Sequence, residues 1–278
     1  MKIPFVQVDA FADRPFAGNP AAVMMLDAWL DAAVLQRIAA ENNLSETAFL
    51  VPDDGDDADY ELRWFTPATE VVLCGHATLA SGHVLLSADP ARDAVRFRTR
   101  KAGILTVTRE GAGYALALPA WRAAPAPLPD LVAALALPEQ AVVATLWHPH
   151  RYALIVLPDV AAVRALAPDF RRLAAAPGPD ALTDAAPDIL TIVTAPGDGD
   201  SDIVSRAFAP GGGIDEDPVT GSAHAVLTPY WAGRLGRPSF TAYQASARGG
   251  HLRCRLDGDR VVLGGRCVTV VEGAFLLS

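Results

Sequence analysis

Phe65-Thr66-Pro67 leads to Gly75-His76-Ala77-Thr78, and the pattern returns when Phe208-Ala209-Pro210 leads to Gly221-Ser222-Ala223-His224. Each copy reads as a strand, a loop and a helix that starts on glycine, with an apolar run behind it. The first turn of a helix has free N–H groups and partial positive charge, and a glycine there lets an anion approach the backbone. Two such starts predict a cleft that holds a carboxylate or a developing enolate. The echo is imperfect, since Gly75 follows Pro67 by eight positions and Gly221 follows Pro210 by eleven. It nevertheless predicts an internal repeat, and so two related halves.

Composition is compatible with that division. The chain has 278 residues, 51% of them hydrophobic, so either half can bury a core. The proline-dense stretch from Pro119 to Pro129 marks the boundary. The first half is expected over 1–120, where the C-terminal strand can complete it, and the second over 121–278. Net charge is −9 with no Lys/Arg cluster, which argues against nucleic acid or an anionic membrane as partner. No apolar run reaches the roughly 18 residues that span a bilayer. Met1-Lys2-Ile3-Pro4-Phe5 enters a strand-like run without a secretory leader pattern. The three cysteines, Cys74, Cys254 and Cys267, lack CxxC spacing and suit neither a disulfide framework nor a zinc knuckle. A reducing cytoplasm is the expected compartment.

Along the chain, strand-like residues 3–10 precede a cluster of turn formers from Asp13 to Pro20. Leu30, Val34, Leu35 and Ile38 predict an amphipathic helix over 28–41. Leu44-Ser45-Glu46-Thr47-Ala48-Phe49-Leu50-Val51 is a strand pattern interrupted by one carboxylate, and Asp53 to Asp57 form a solvated hairpin tip. Strands are expected near 60–65, 94–98, 104–108 and 114–118. The second half alternates helices near 129–136 and 159–166 with strands near 142–146, 152–157 and 189–194. No Gly-x-Gly-x-x-Gly or Walker pattern calls for a nucleotide cofactor.

Several residues suit proton chemistry. Glu46 stands among Leu44, Ala48, Phe49 and Leu50, where poor solvation disfavours a carboxylate's charged form and suits it to accept and return a proton. The alternative is an outward-facing glutamate on an alternating strand. His76, one residue into a helix, is expected to be neutral in the helix field, or else simply exposed. Asp217, held extended before Pro218, can serve a site or merely cap the next turn. Ser222 and the amides at Gly75 and Gly221 offer anion donors. Cys74, at a helix N-terminus, is a candidate thiol of lowered pKa, but no cysteine stands at the matching point of the second copy. His148 and His150 lack a third ligand, so no metal is expected. Lys2 and Lys101 have no site-like context, which argues against a pyridoxal cofactor.

Four motifs in order, Val8-Asp9-Ala10-Phe11 with Pro15 to Val23, Leu44 to Phe49, Phe65-Thr66-Pro67 with Leu73 to Thr78, and Asp217 to Ala223, resemble the PhzF family, named for a phenazine-biosynthesis isomerase. The resemblance implies the diaminopimelate-epimerase-like α+β fold: two similar halves, each a curved mixed sheet around a central helix, with the active site between them. It further implies a cofactor-independent proton shift within a small carboxylated substrate, which in the family's isomerase is a cyclic dihydro-hydroxyanthranilate. Glu46 matches the family's shuttle, His76 and Asp217 its partners, and Ser222, Gly75 and Gly221 its carboxylate contacts. A homodimer is implied as well. Two rivals remain at this stage: an amino-acid racemase using Cys74, and a small-acid binding protein without turnover.

Overall fold

The computed structural model describes residues 1–179 and 188–277. In chain order the elements are β1 (Lys2–Ala10), β2 (Asn19–Met25), α1 (Ala32–Asn42), β3 (Glu46–Pro52), β4 (Tyr60–Phe65), β5 (Glu70–Val71), α2 (Gly75–Ala88), β6 (Ala94–Thr99), β7 (Ile104–Glu110) and β8 (Gly113–Pro119). There follow β9 (Ala124–Pro125), α3 (Pro129–Ala134), β10 (Ala144–His148), β11 (Tyr152–Val156), α4 (Val160–Arg164), α5 (Phe170–Ala175), β12 (Leu190–Pro196) and β13 (Ile203–Ala209). The last are β14 (Ile214–Asp217), α6 (Gly221–Leu235), β15 (Ser239–Gln244), β16 (Gly250–Asp257), β17 (Arg260–Gly265) and β18 (Cys267–Leu276). The chain divides into two compact units, Met1–Leu118 together with the C-terminal stretch from Val262, and Pro119–Val261. The stretch from Val262 belongs to the first unit because β18 pairs along the whole of β1.

In the first unit β1 lies between β18 and β2, both antiparallel to it. β2 and β3 are parallel, β3 and β4 antiparallel, β4 and β6 parallel, and β6, β7 and β8 antiparallel. This mixed sheet curves around α2, which touches β1, β2, β3, β6 and β7. From Gly75 to Gly82 every residue of α2 is buried, although the run is rich in Gly, Ala, Ser and Thr. Small side chains let strands approach from several sides, and the helix hydroxyls are satisfied locally: Thr78 Oγ1 donates to the Cys74 carbonyl and Ser81 Oγ to that of Ala77. The other face of the sheet packs against α1 through Met24, Leu35, Ile38, Phe49 and Phe65. The helix expected over 28–41 begins only at Ala32. Trp29 and Leu30 reach the same core from a non-helical segment, with Trp29 Nε1 donating to Glu61 at 2.6 Å.

The second unit repeats the scheme. β11 and β12 are parallel, β12 and β13 antiparallel, β13 and β15 parallel, and β15 and β16 antiparallel. The buried α6 contacts β11 and β16, and α3, α4 and α5 cover an apolar layer that includes Leu131, Val163, Leu173, Val193 and Phe208. Two matching clamps mark the repeat more sharply than the helix starts do. Arg63 on β4 grips Glu70 on β5 with two bonds of 2.7 Å, and Arg206 on β13 grips Glu216 on β14 at 2.7 and 2.9 Å. Each guanidinium also stands 5.0 Å from the ring two residues on, Phe65 or Phe208. The extra spacing in the second copy falls in the 3₁₀ turn Pro210–Gly212 and Gly213, whose φ of 84° requires no side chain.

Gly82 shows how tightly α2 is held, since a Cβ there would lie 2.4 Å from Val107 Cγ1 and 2.6 Å from its Cβ. Gly82→Ala is predicted to destabilise the protein by about 1–3 kcal/mol through overpacking, less the roughly 1 kcal/mol that alanine returns in helix propensity. Urea unfolding measures this, and an unchanged or raised midpoint contradicts the packing described.

Candidate active site

Glu46 opens β3, a strand buried through Val51, and is itself 8% exposed. Its facing partner is the first turn of α2, where Cys74 occupies the N-cap and His76 is 3% exposed. Glu46 Oε2 lies 3.0 Å from His76 Nε2. Neither atom makes an aligned hydrogen bond, so the contact is a buried ion pair with a donor and an acceptor left over. The other ring nitrogen stands 3.1 Å from the Asn19 side-chain amide, whose oxygen accepts from an Nδ1–H once the amide is turned over, and 3.6 Å from Cys74 Sγ. Asn19 is placed by Gly18, whose φ is 65° and whose missing Cβ would lie 2.2 Å from the Ala10 carbonyl oxygen. The Gly-Asn-Pro turn thus brings an amide to the imidazole, a role that sequence reasoning missed although the turn was visible.

The electrostatics correct two expectations. Burial is the largest influence on His76 and opposes its charge, but the Cys74 sulfur and the Glu46 carboxylate together outweigh it and hold the imidazole pKa well above its usual value. The ring is therefore charged rather than neutral. Two unit charges 3.0 Å apart attract by about 5 kcal/mol at an effective dielectric of about 20. A helix terminus opposes a cation by only about 0.3–1 kcal/mol, so the helix field loses. Cys74 is 5% exposed, and burial first, then the Glu46 charge, push its thiol up rather than down. Thiol, imidazole and carboxylate form one coupled buried cluster, in which negative charge on Glu46 or on Cys74 favours the protonated ring. Glu46, Cys74 and His76 do present three ligand atoms within 4.8 Å of one another. A metal there would have to displace the thiol proton and break the ion pair, and a tetrahedral zinc needs a further ligand.

In the second unit Asp217 ends β14 and is 8% exposed. Its Oδ2 accepts from Thr220 Oγ1, and Gln244 ties the turn together by accepting from Thr220 N at 2.9 Å and donating to the Asp217 carbonyl at 2.7 Å. Thr220 is the N-cap of α6 and makes no side-chain cap, as Cys74 makes none for α2, so neither helix start is closed by its own N-cap side chain. Gly221 is buried there and Ser222 half-buried. His224 behind them donates from Nδ1 to the Thr220 carbonyl, and burial lowers its pKa to about 4. The strand registers pair Phe65 with Thr47 and Phe208 with Thr191, so the counterpart of Glu46 is Leu190. The acid lies in one half of the repeat alone. Cys254 is buried and Cys267 partly so, both are free, and burial raises each thiol to about 12. His148 stacks on Trp121 and meets His150 edge to face.

A folded-state pKa above the unfolded value makes His76 stabilising below about pH 6.5, and that contribution is lost as pH rises through the elevated value. In Glu46→Gln burial acts without the carboxylate, so the ring prefers to be neutral and its contribution is lost as pH falls instead. The stability of wild type relative to Glu46→Gln, measured by urea unfolding, is predicted to shrink with rising pH. A constant or growing difference contradicts the ion pair.

Residues 8–273 match the PhzC-PhzF family, described as phenazine biosynthesis-like protein. A protein of Pseudomonas aeruginosa called an uncharacterized isomerase is 48% identical over 279 residues, covering 100% of both chains. The crystal structure of a PhzF family phenazine biosynthesis protein from Enterococcus faecalis superposes with a TM-score of 0.86 at 42% identity, again over 100% of both. A hydroxyproline epimerase from Agrobacterium vitis, with a TM-score of 0.62 at 12% identity over 98% of this chain and 92% of its own, shares the fold alone. The two-halved fold with a helix at the centre of each curved sheet is thus the epimerase-like one, and this chain belongs to the phenazine biosynthesis-like PhzC-PhzF family of isomerases.

Proposed function

We propose that the protein is a cofactor-independent isomerase in which Glu46 removes a proton from one carbon of a small carboxylated substrate and returns it to another. The observation that carries this reading is the buried pair itself: Glu46 Oε2 and His76 Nε2 stand 3.0 Å apart with no aligned partner, so each has hydrogen-bonding capacity left for a third group. The two protons are coupled. When the carboxylate takes a proton from carbon it becomes neutral, and the charge that held the imidazolium disappears. Burial then favours neutral imidazole, so His76 becomes a better donor to the anion developing on the substrate. Returning the proton resets the pair. The family resemblance gives Asp217 a supporting role and gives Ser222 and the amides at Gly75 and Gly221 the substrate carboxylate. It also supports a cyclic or amino-bearing substrate and a homodimer, and the free cysteines suit a reducing cytoplasm.

A racemase using Cys74 needs a thiolate, and burial pushes that thiol the wrong way. The readings separate by incorporation of solvent deuterium into a panel of small cyclic and amino-bearing carboxylic acids, including dihydro-hydroxyanthranilate. Glu46→Gln is predicted to lower exchange of an accepted substrate by about 10²–10⁴-fold, while Cys74→Ala retains it. Near wild-type exchange in Glu46→Gln contradicts the assignment, loss in Cys74→Ala alone supports the racemase, and binding without exchange supports a ligand carrier.

A further inference from the structure

The strand registers that map Glu46 onto Leu190 carry the repeat one strand further. On β2, Ala21 stands beside Glu46, and on β11, Tyr152 stands beside Leu190. Two positions before Ala21 is Asn19, whose amide stands 3.1 Å from the His76 ring in the first turn of α2. Two positions before Tyr152 is His150, at the tip of the hairpin that pairs His148 with Tyr152. The second unit therefore has an imidazole where the first has the amide that serves its helix start.

His150 belongs to a group of four rings. His148 lies 17° from parallel to Trp121 with centroids 5.5 Å apart, while His150 and Tyr152 meet Trp121 edge-on at 4.9 and 5.0 Å. The group is anchored to α6. Pro229 has no N–H to give the Ala225 carbonyl four positions before it, and the Trp121 amide takes that carbonyl at 3.0 Å. The hairpin tip is fixed as well, with Arg151 in the left-handed region at a φ of 67°. Its N–H donates to the His148 carbonyl at 2.9 Å, and its carbonyl accepts from Leu190 N at 3.0 Å. Burial first, and then the neighbouring His150, lower the pKa of His148, which keeps that ring neutral at pH 7. Trp121, His148 and Tyr152 are half-buried and His150 is exposed. Rings braced from behind and open to water in front suit a flat, unsaturated partner.

We propose that Trp121, His148, His150 and Tyr152 form a wall that binds the flat ring of the substrate, with His150 as the contact residue. The inference rests on the reading of this chain as an isomerase of small carboxylated substrates, and it adds the residues that select a ring. Protein labelled with ¹⁵N-histidine contains six imidazoles, of which His148→Gln and His150→Gln identify two. Titration with anthranilate, a flat ring bearing a carboxylate, should move the His148 and His150 resonances saturably, whereas acyclic glutamate should leave them in place. His150→Ala should weaken anthranilate binding at least about threefold, and His150→Phe, which restores a ring, should recover it. The wall can be tested apart from the proton chemistry, because Glu46→Gln leaves all four rings in place. A His150 response to anthranilate in a protein that exchanges no proton of any acid in the panel supports the wall and contradicts the isomerase reading. Exchange that depends on Glu46, with His148 and His150 resonances that ignore anthranilate, overturns the wall alone. So does a His150→Ala variant that binds anthranilate as tightly as wild type.

Discussion

A carboxylate and an imidazole forced together out of water set the terms for the rest of the site. Glu46 and His76 are far apart in sequence and touch because β3 starts where α2 starts. Once there, each decides the other's charge. Burial alone would strip the proton from His76, as it does from His224 in the second unit, where no carboxylate stands by and the pKa falls to about 4. The comparison is internal to one chain: two buried histidines in the first turns of two related helices, with opposite outcomes set by the sulfur and the carboxylate beside one of them.

The repeat explains why such a pair can exist at all. Each half spends its sheet on a central helix made slender by small residues, and each braces the strand before that helix with an Arg–Glu clamp over a phenylalanine. The brace holds the strand and the loop behind it, and the loop delivers the helix start. On that shared frame the halves have diverged. Where one carries Glu46, Cys74 and His76, the other carries Leu190, Thr220 and Ser222, with Asp217 tied to Thr220. Acid–base groups are concentrated in one half, and hydroxyls and a fixed carboxylate in the other.

The helix starts, the two halves and the identity of Glu46, His76 and Asp217 as unusual residues could be read from the sequence, because local glycine, proline and apolar patterns encode them. What could not be read was set by register. The clamp partners Arg63 and Arg206 lie just upstream of the motifs that reveal the repeat, and their glutamates are found only once β5 and β14 are paired. The charge of His76 and the raised pKa of the Cys74 thiol depend on burial and on a carboxylate about thirty positions away, which a helix-dipole argument cannot supply. Asn19 looked like part of a turn, and only the close approach at Gly18 turns it toward the imidazole.

The ionisation of His76 tests the central claim most directly. Its ring ¹⁵N and ¹H shifts, followed by NMR from acid to alkaline pH, should show both nitrogens protonated well above the ordinary midpoint of about 6.5, with a fall below that midpoint when Glu46 is replaced by glutamine. A wild-type ring that titrates at or below the ordinary midpoint would mean that the carboxylate does not hold the proton, and the coupled pair would have to be abandoned.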